Sequence, residues 1–193
     1  MKLANPEDPR VSNITREEIQ CAIAVNVNAH LVTCKSENQM THVIRGISGM
    51  YPDVKVKSGV RHSYLGVAID LSKQGKMKLT MSGYIDEVMK YYEVTSKAKS
   101  PVTNMLYEIR DSSLLDSTQR EKVHSRVAKL LHAKKRVRLD ILTAVGFLTT
   151  RVQQPTSDDG DKLEGCLPYL NDTRELGVTI ECIFGVNSVA YFD

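Results

Sequence analysis

Four consecutive residues, Asn26, Val27, Asn28 and Ala29, lie between two β-prone runs, 21–25 and 31–33, and therefore fall at the tip of a tight hairpin. Such a tip holds its side chains rigidly. Metal-dependent phosphoryl transfer needs carboxylates to hold hard cations. Here the tip offers the amide of Asn28 and the methyl of Ala29, and no Asp or Glu occurs between Glu18 and Glu37. The hairpin is either purely structural or the relic of one that carried acids.

A second group with chemical potential is cationic. Lys122, Arg126, Lys129 and Arg136 recur at helical spacing beside an apolar stripe of Val123, Val127, Leu130, Leu131 and Val137, and Glu121 is the one acid between Arg120 and Arg138. A helix so patterned can pack on its domain and offer cations to phosphates, or present a merely solvated face. His124 and His132 flank it without a partner acid or cysteine and read as surface residues. Asp158, Asp159 and Asp161 lack the ligand spacing of a calcium loop and suit a helix N-terminus. Cys21, Cys34, Cys166 and Cys182 have neither paired C-x-x-C spacing nor matched histidines, which argues against zinc and for reduced, buried thiols. A turn at Val27 and Asn28 would set Cys21 directly opposite Cys34. That geometry permits a disulfide, which an intracellular setting disfavours.

These groups sit in a chain of ordinary composition. Its 193 residues can bury a core, 41% hydrophobic with 25% charged residues argues against disorder, and a net charge of +3 is too small to imply nucleic-acid binding by itself. No apolar run approaches a membrane span, and MKLANPEDPR lacks the apolar core of a signal peptide, so an intracellular protein is expected, in cytoplasm or nucleus.

The elements that must position the groups follow in order. Residues 1–18 form a polar lead-in with a short strand around Val11 to Ile14, as though the chain started in mid-domain. Ser36 and Gln39 form a capping box for a helix carrying Met40, Val43, Ile44 and Ile47, which Gly49 and Pro52 stop. Ser63, Leu65, Val67, Ile69 and Leu71 alternate as one strand, paired through a loop at 72–75 with Met77, Leu79 and Met81. Ser82 caps a helix with Ile85, Val88, Met89 and Tyr92 on one stripe. Residues 93–118 lose periodicity and read as a linker or long loop. The basic helix, a largely apolar helix at 140–152 and a helix opened by Thr156 and Asp159 follow, with Leu163, Leu167 and Leu170 facing inward and Pro168 in its interior, at a cost of about 3 kcal/mol. Residues 176–182 and 186–192 alternate as a final pair of strands.

In this order the pieces DPRVSN with its strand-turn-strand, HSYLGVAIDLSKQGKMKLTMSGYIDEVMKYY, SPVTNMLYEI, HSRVAKLL, DILTAVGFLTTRVQQPT and YLNDTRELGVTI resemble the Pol polyprotein of copia-type LTR retrotransposons over nearly the whole chain. The resemblance implies an α+β fold: a partial reverse-transcriptase palm of two β-hairpins with two helices (1–92), a linker (93–118), a helical thumb and connection region (119–172) and a C-terminal β-hairpin starting an RNase H domain (173–193). It implies that Asn26, Val27, Asn28 and Ala29 stand where the family has Tyr-Val-Asp-Asp, whose acids bind catalytic magnesium. Tyr64, Leu65 and Gly66 resemble the primer-grip segment, where a glycine in a strand admits a second backbone; an ordinary strand kink would look the same. The basic helix resembles the thumb region, whose partner would be an RNA or DNA duplex bound without regard to sequence. Asp193 matches the first metal-binding carboxylate of RNase H. The third polymerase acid and the fingers would lie before Met1, and the other RNase H acids beyond Asp193.

The departures from the pattern are Asn26, Asn28 and Ala29 at the catalytic tip, Arg138-Leu139-Asp140 in place of Arg-Pro-Asp, a missing Trp near Gly160, and Pro168. Two-metal chemistry needs anionic ligands holding cations roughly 3.5 to 4 Å apart. The expectation is therefore a catalytically inactive remnant that uses no metal or cofactor, with nonspecific nucleic-acid binding at most. The alternatives are an active polymerase region of a larger polyprotein and a domesticated adaptor using residues 119–171.

Overall fold

The computed structural model describes residues 2–4, 10–26, 29–102, 105–181 and 188–192. It is α+β, with five α-helices and two antiparallel sheets among the described residues, and it divides into two compact units, Met1–Lys78 with Thr179–Asp193, and Leu79–Val178.

In the first unit, β1 (Lys2–Ala4), β2 (Val11–Arg16), β3 (Ile19–Asn26) and β4 (Ala29–Cys34) follow one another as antiparallel neighbours. Glu17 and Glu18, both at positive φ (52° and 63°), make the two-residue turn between β2 and β3. β3 and β4 pair from Asn26↔Ala29 to Cys21↔Cys34. That is the register expected for a turn at Val27 and Asn28, which themselves lie outside the described residues. α1 (Glu37–Met50) lays Met40, Val43 and Ile47 over Cys21, Val32 and Cys34 of this sheet. Ser36 caps it by accepting from the Gln39 amide at 3.4 Å, but the Gln39 side chain donates to Glu17, so only half of the capping box forms.

The strand expected over 63–71 is two strands. β6 (Arg61–Tyr64) turns back at Leu65 and Gly66 into β7 (Val67–Asp70), with Tyr64 opposite Val67. Both turn residues have positive φ, 53° and 78°, the geometry of a tight hairpin turn whose twist matches its strands. β7 then neighbours β8 (Lys76–Thr80), and β8 neighbours β9 (Val178–Glu181).

The C-terminal hairpin does not form. β9 joins the four-stranded sheet, whereas β10 (Ser188–Phe192) enters the six-stranded sheet between β4 and β5 (Val56–Ser58). There both edges of β10 find a partner, whereas a two-stranded ribbon would leave one row of backbone groups unpaired.

The second unit holds α2 (Ser82–Tyr91), α3 (Ser117–Lys134), α4 (Leu142–Arg151) and α5 (Ser157–Asp172). α2 thus belongs with the later helices, and the division falls at Leu79 rather than after Tyr92. Met81, not Ser82, occupies the N-cap of α2, with no side-chain cap. α3 and α5 begin with full capping boxes, Asp116 with Gln119 and Thr156 with Asp159. Their buried residues include Val123, Val127 and Leu130 of α3 and Leu163, Leu167 and Leu170 of α5. α4 starts later than expected, after a 3-10 turn at Leu139–Ile141.

Of the stretch 93–118 expected as a linker, residues 93–102 and 105–116 are irregular and 117–118 open α3, yet the irregular part is not a free linker. Ala98 donates to the Pro168 carbonyl (3.3 Å), Ser157 to that of Ser113 (2.9 Å) and Leu115 to that of Pro155 (3.0 Å). The Asn171 side chain donates to the Ser96 carbonyl at 2.7 Å. Leu106 is buried. The segment is a strap held along α5, which explains how a stretch without apolar periodicity stays ordered. Pro168 remains inside α5.

Candidate nucleic-acid interface

The first hairpin positions Asn26 and Ala29 as the last described pair before its tip. Ala29 is buried, and Asn26 lines a concavity of about 800 Å³ together with Val25, His30, Tyr51 and Asp53. Asp53 is the one carboxylate among the described lining residues. A hard dication draws on six or more oxygen ligands, several of them anionic, and one carboxylate beside an amide is a poor match. Val27, Asn28 and Asp193 lie outside the described residues.

Tyr64, Leu65 and Gly66 form the end of the β6–β7 hairpin, where the sequence suggested a strand interior. Leu65 is 42% exposed and a Cβ added to Gly66 would meet nothing. The glycine therefore serves the backbone angle and not the close approach of another backbone. Tyr64 is half-buried, and burial raises its hydroxyl pKa against the opposing charge of Arg10.

On α3 the cations do not form one open row. Lys122 is exposed at one end and Arg136 lies past the other, where it donates to His132 Nδ1 at 2.9 Å. Between them the stripe meets α2. The Arg126 guanidinium sits 5.1 Å from the Tyr92 ring centroid and pairs with Glu164 of α5. Arg126 Nε is buried without a hydrogen-bond partner. Lys129 Nζ lies 5.1 Å over the Tyr91 ring. The Tyr92 hydroxyl meets Ser125 Oγ at 3.0 Å, and the Tyr84 hydroxyl donates to the Lys129 carbonyl at 3.1 Å. Tyr84 also packs its ring on His132, centroids 4.8 Å apart. Burial, then the neighbouring Arg136 and Lys129, holds the His132 pKa below its ordinary value. His124 is exposed as expected.

Three expectations for the rest of the chain change or gain content. Cys21 and Cys34 are disulfide-bonded rather than reduced, with Cα atoms 4.3 Å apart, the short spacing of directly opposed, non-hydrogen-bonded residues. Cys166 is free, and burial pushes its thiol up to about 12, so it is unreactive. The α5 acids serve structure: Asp158 pairs with Lys162 at 2.7 Å, and Asp159 accepts from Thr156 and from Arg151.

Sequence reasoning missed two things. Arg138 is fully buried and bound to Asp140. Tyr84 and Tyr91, seven residues apart and so on one face of α2, were the available signal that an aromatic row would meet the basic stripe. Among the described residues no helix is long and apolar enough to cross a membrane. Set against protein-family models, curated proteins and solved structures, the chain matches none.

Proposed function

We propose that the chain is a catalytically silent remnant of a copia-type reverse transcriptase, whose residual capacity is weak, sequence-independent binding of nucleic-acid duplexes through α3. The order of its sequence pieces suggests the family. One observation carries the loss of catalysis: the β3–β4 register sets Ala29, opposite Asn26, at the hairpin end, a methyl at a position where the resemblance would place a carboxylate for two-metal chemistry. The duplex surface rests on Lys122, Lys129 and Arg136, because Glu164 already compensates Arg126.

Primer extension on a primed RNA template with magnesium or manganese tests the first half. No incorporation is expected; templated incorporation that disappears when Asn26 and Asn28 are replaced by Ala would overturn it. Duplex binding across a salt series tests the second half, with log K falling against log salt at a slope of about −2 to −3 for three phosphate contacts. A flat response excludes α3 as a phosphate surface.

A further inference from the structure

Tyr91 is 69% exposed although it lies in the middle of a packed aromatic and cationic cluster. One side of its ring is occupied by Lys129 Nζ at 5.1 Å, and Tyr92 meets it edge-on, with centroids 4.8 Å apart and planes at 87°. Tyr92 is in turn fixed by its hydroxyl contact to Ser125 and by the Arg126 guanidinium. The Tyr91 ring is thus held by Lys129 and Tyr92 while much of its surface faces solvent.

An exposed ring with a cation over part of it, Lys129, and a second, Lys122, two turns away on α3, suits an unpaired base. The base stacks on the ring, and the phosphates either side of it reach the flanking ammonium groups. A duplex cannot use the ring, because its bases are already stacked on one another. We infer that the α2–α3 face is a binding site for single-stranded nucleic acid, with Tyr91 as the stacking platform and Lys129 and Lys122 as phosphate contacts. The inference deepens the proposed nucleic-acid role of α3 and rests on it. Three exposed acids oppose the ligand: Glu87, one turn before Tyr91 on α2, Glu93, two residues after it, and Glu121 beside Lys122. Asp86 nearby is already paired with Arg174 at 2.7 Å.

The test compares oligothymidylate, oligouridylate and a duplex of equal length by fluorescence anisotropy. Tyr91→Ala and Tyr91→Leu, the second retaining apolar bulk without a ring, are each expected to weaken single-strand binding about tenfold and leave duplex binding nearly unchanged. Tyr91→Phe keeps the affinity, and Glu87→Gln raises it. The chain has no Trp and eight Tyr, so intrinsic tyrosine emission is observable. Quenching of that emission on single-strand binding should be smaller in Tyr91→Phe than in the parent, a readout that a purely structural role would not produce. Tyr107→Ala, which removes another exposed tyrosine from the same unit, is the control and should change nothing. If both nucleic acids bind with salt dependence but Tyr91→Ala and Tyr91→Leu match the parent, the inference falls and the duplex reading stands. If neither nucleic acid binds, both fall.

Discussion

The Arg138 guanidinium grips the Asp140 carboxylate with two hydrogen bonds, Nε to Oδ1 at 2.9 Å and Nη2 to Oδ2 at 2.7 Å, while fully buried. Its remaining donors reach the Thr173 carbonyl (3.1 Å) and hydroxyl (2.7 Å) at the end of α5. The pair therefore pins the α3–α4 corner to the last helix of its unit. Removing one partner leaves a buried charge without compensation, which costs about 3 kcal/mol or more. Asp140→Ala should lower the urea midpoint accordingly. Arg138→Lys should do nearly as badly, because an ammonium cannot reproduce the forked geometry. A double replacement, Arg138→Met with Asp140→Leu, should unfold later than either single variant.

The same pair gives stability a pH dependence of defined sign. Burial of Asp140 opposes its ionised form, but hydrogen bonds and charge from Arg138 outweigh that and hold its pKa below the ordinary value. Asp158 is lowered by its hydrogen bond from Lys162, and Asp172 by that from Lys99. Groups with depressed folded pKa values stabilise the fold above their unfolded pKa, about 3.9 for Asp, and lose that contribution as pH falls through the folded value. In melting temperature, the contribution of these carboxylates should be constant from pH 5 upward and be lost steeply below about pH 4, with a shallower decline beginning below about pH 6.5 from His132, whose pKa the fold depresses. Asp140→Asn should be less stable at pH 7 and show a shallower acid limb.

What could be read from sequence was local. Ser36 before Gln39, Thr156 before Asp159 and the β3–β4 register all depend on residues a few positions apart, and the apolar spacing of α1 and α5 reports directly which side is buried. The misses are long-range. Arg138 finds Thr173 thirty-five residues away, the 93–118 strap is held by bonds to α5, and β10 reaches β4 across most of the chain. At the candidate interface, periodicity placed the cations on one face of α3. It could not say that α2 would cover part of that face or that Glu164 of α5 would compensate Arg126, leaving Lys122 exposed.

The β6–β7 turn was missed for a different reason, since Leu65 gives no turn signal. At φ 53° it occupies a conformation that costs a residue with a Cβ roughly 1–2 kcal/mol. Leu65→Gly should recover about 1 kcal/mol, after allowing for the greater freedom of glycine in the unfolded chain. Gly66→Ala, at φ 78°, should lose a similar amount. Thermal unfolding followed by far-UV circular dichroism distinguishes gain from loss.

The Cys21–Cys34 bond closes a short loop, 13 residues in sequence separation, for which chain-entropy arguments give about 3 kcal/mol of stabilisation. Reduction with a dithiol, or Cys21→Ser with Cys34→Ser, should lower the melting temperature of the protein. Alkylation in denaturant without reductant should add two fewer labels than alkylation after reduction, as read by intact mass. Equal labelling in the two conditions would show that the thiols are unpaired.

Gly177, between α5 and β9, is where side-chain size is most tightly limited. A Cβ there would land on the Leu79 carbonyl oxygen and press the Leu79 carbonyl carbon and the Thr80 methyl, both 3.0 Å away. Two of those three atoms are backbone, which cannot move aside without disturbing β8 itself. Gly177→Ala should therefore destabilise by about 1–3 kcal/mol, as overpacking does where the neighbours cannot relax. Gly83→Ala provides the contrast. It sits in the first turn of α2 with open space around it, and alanine is the better helix former by about 1 kcal/mol in a helix interior. Paired urea titrations should show midpoints moving in opposite directions. A Gly177→Ala midpoint equal to that of the parent would mean that the chain passes β8 with room to spare.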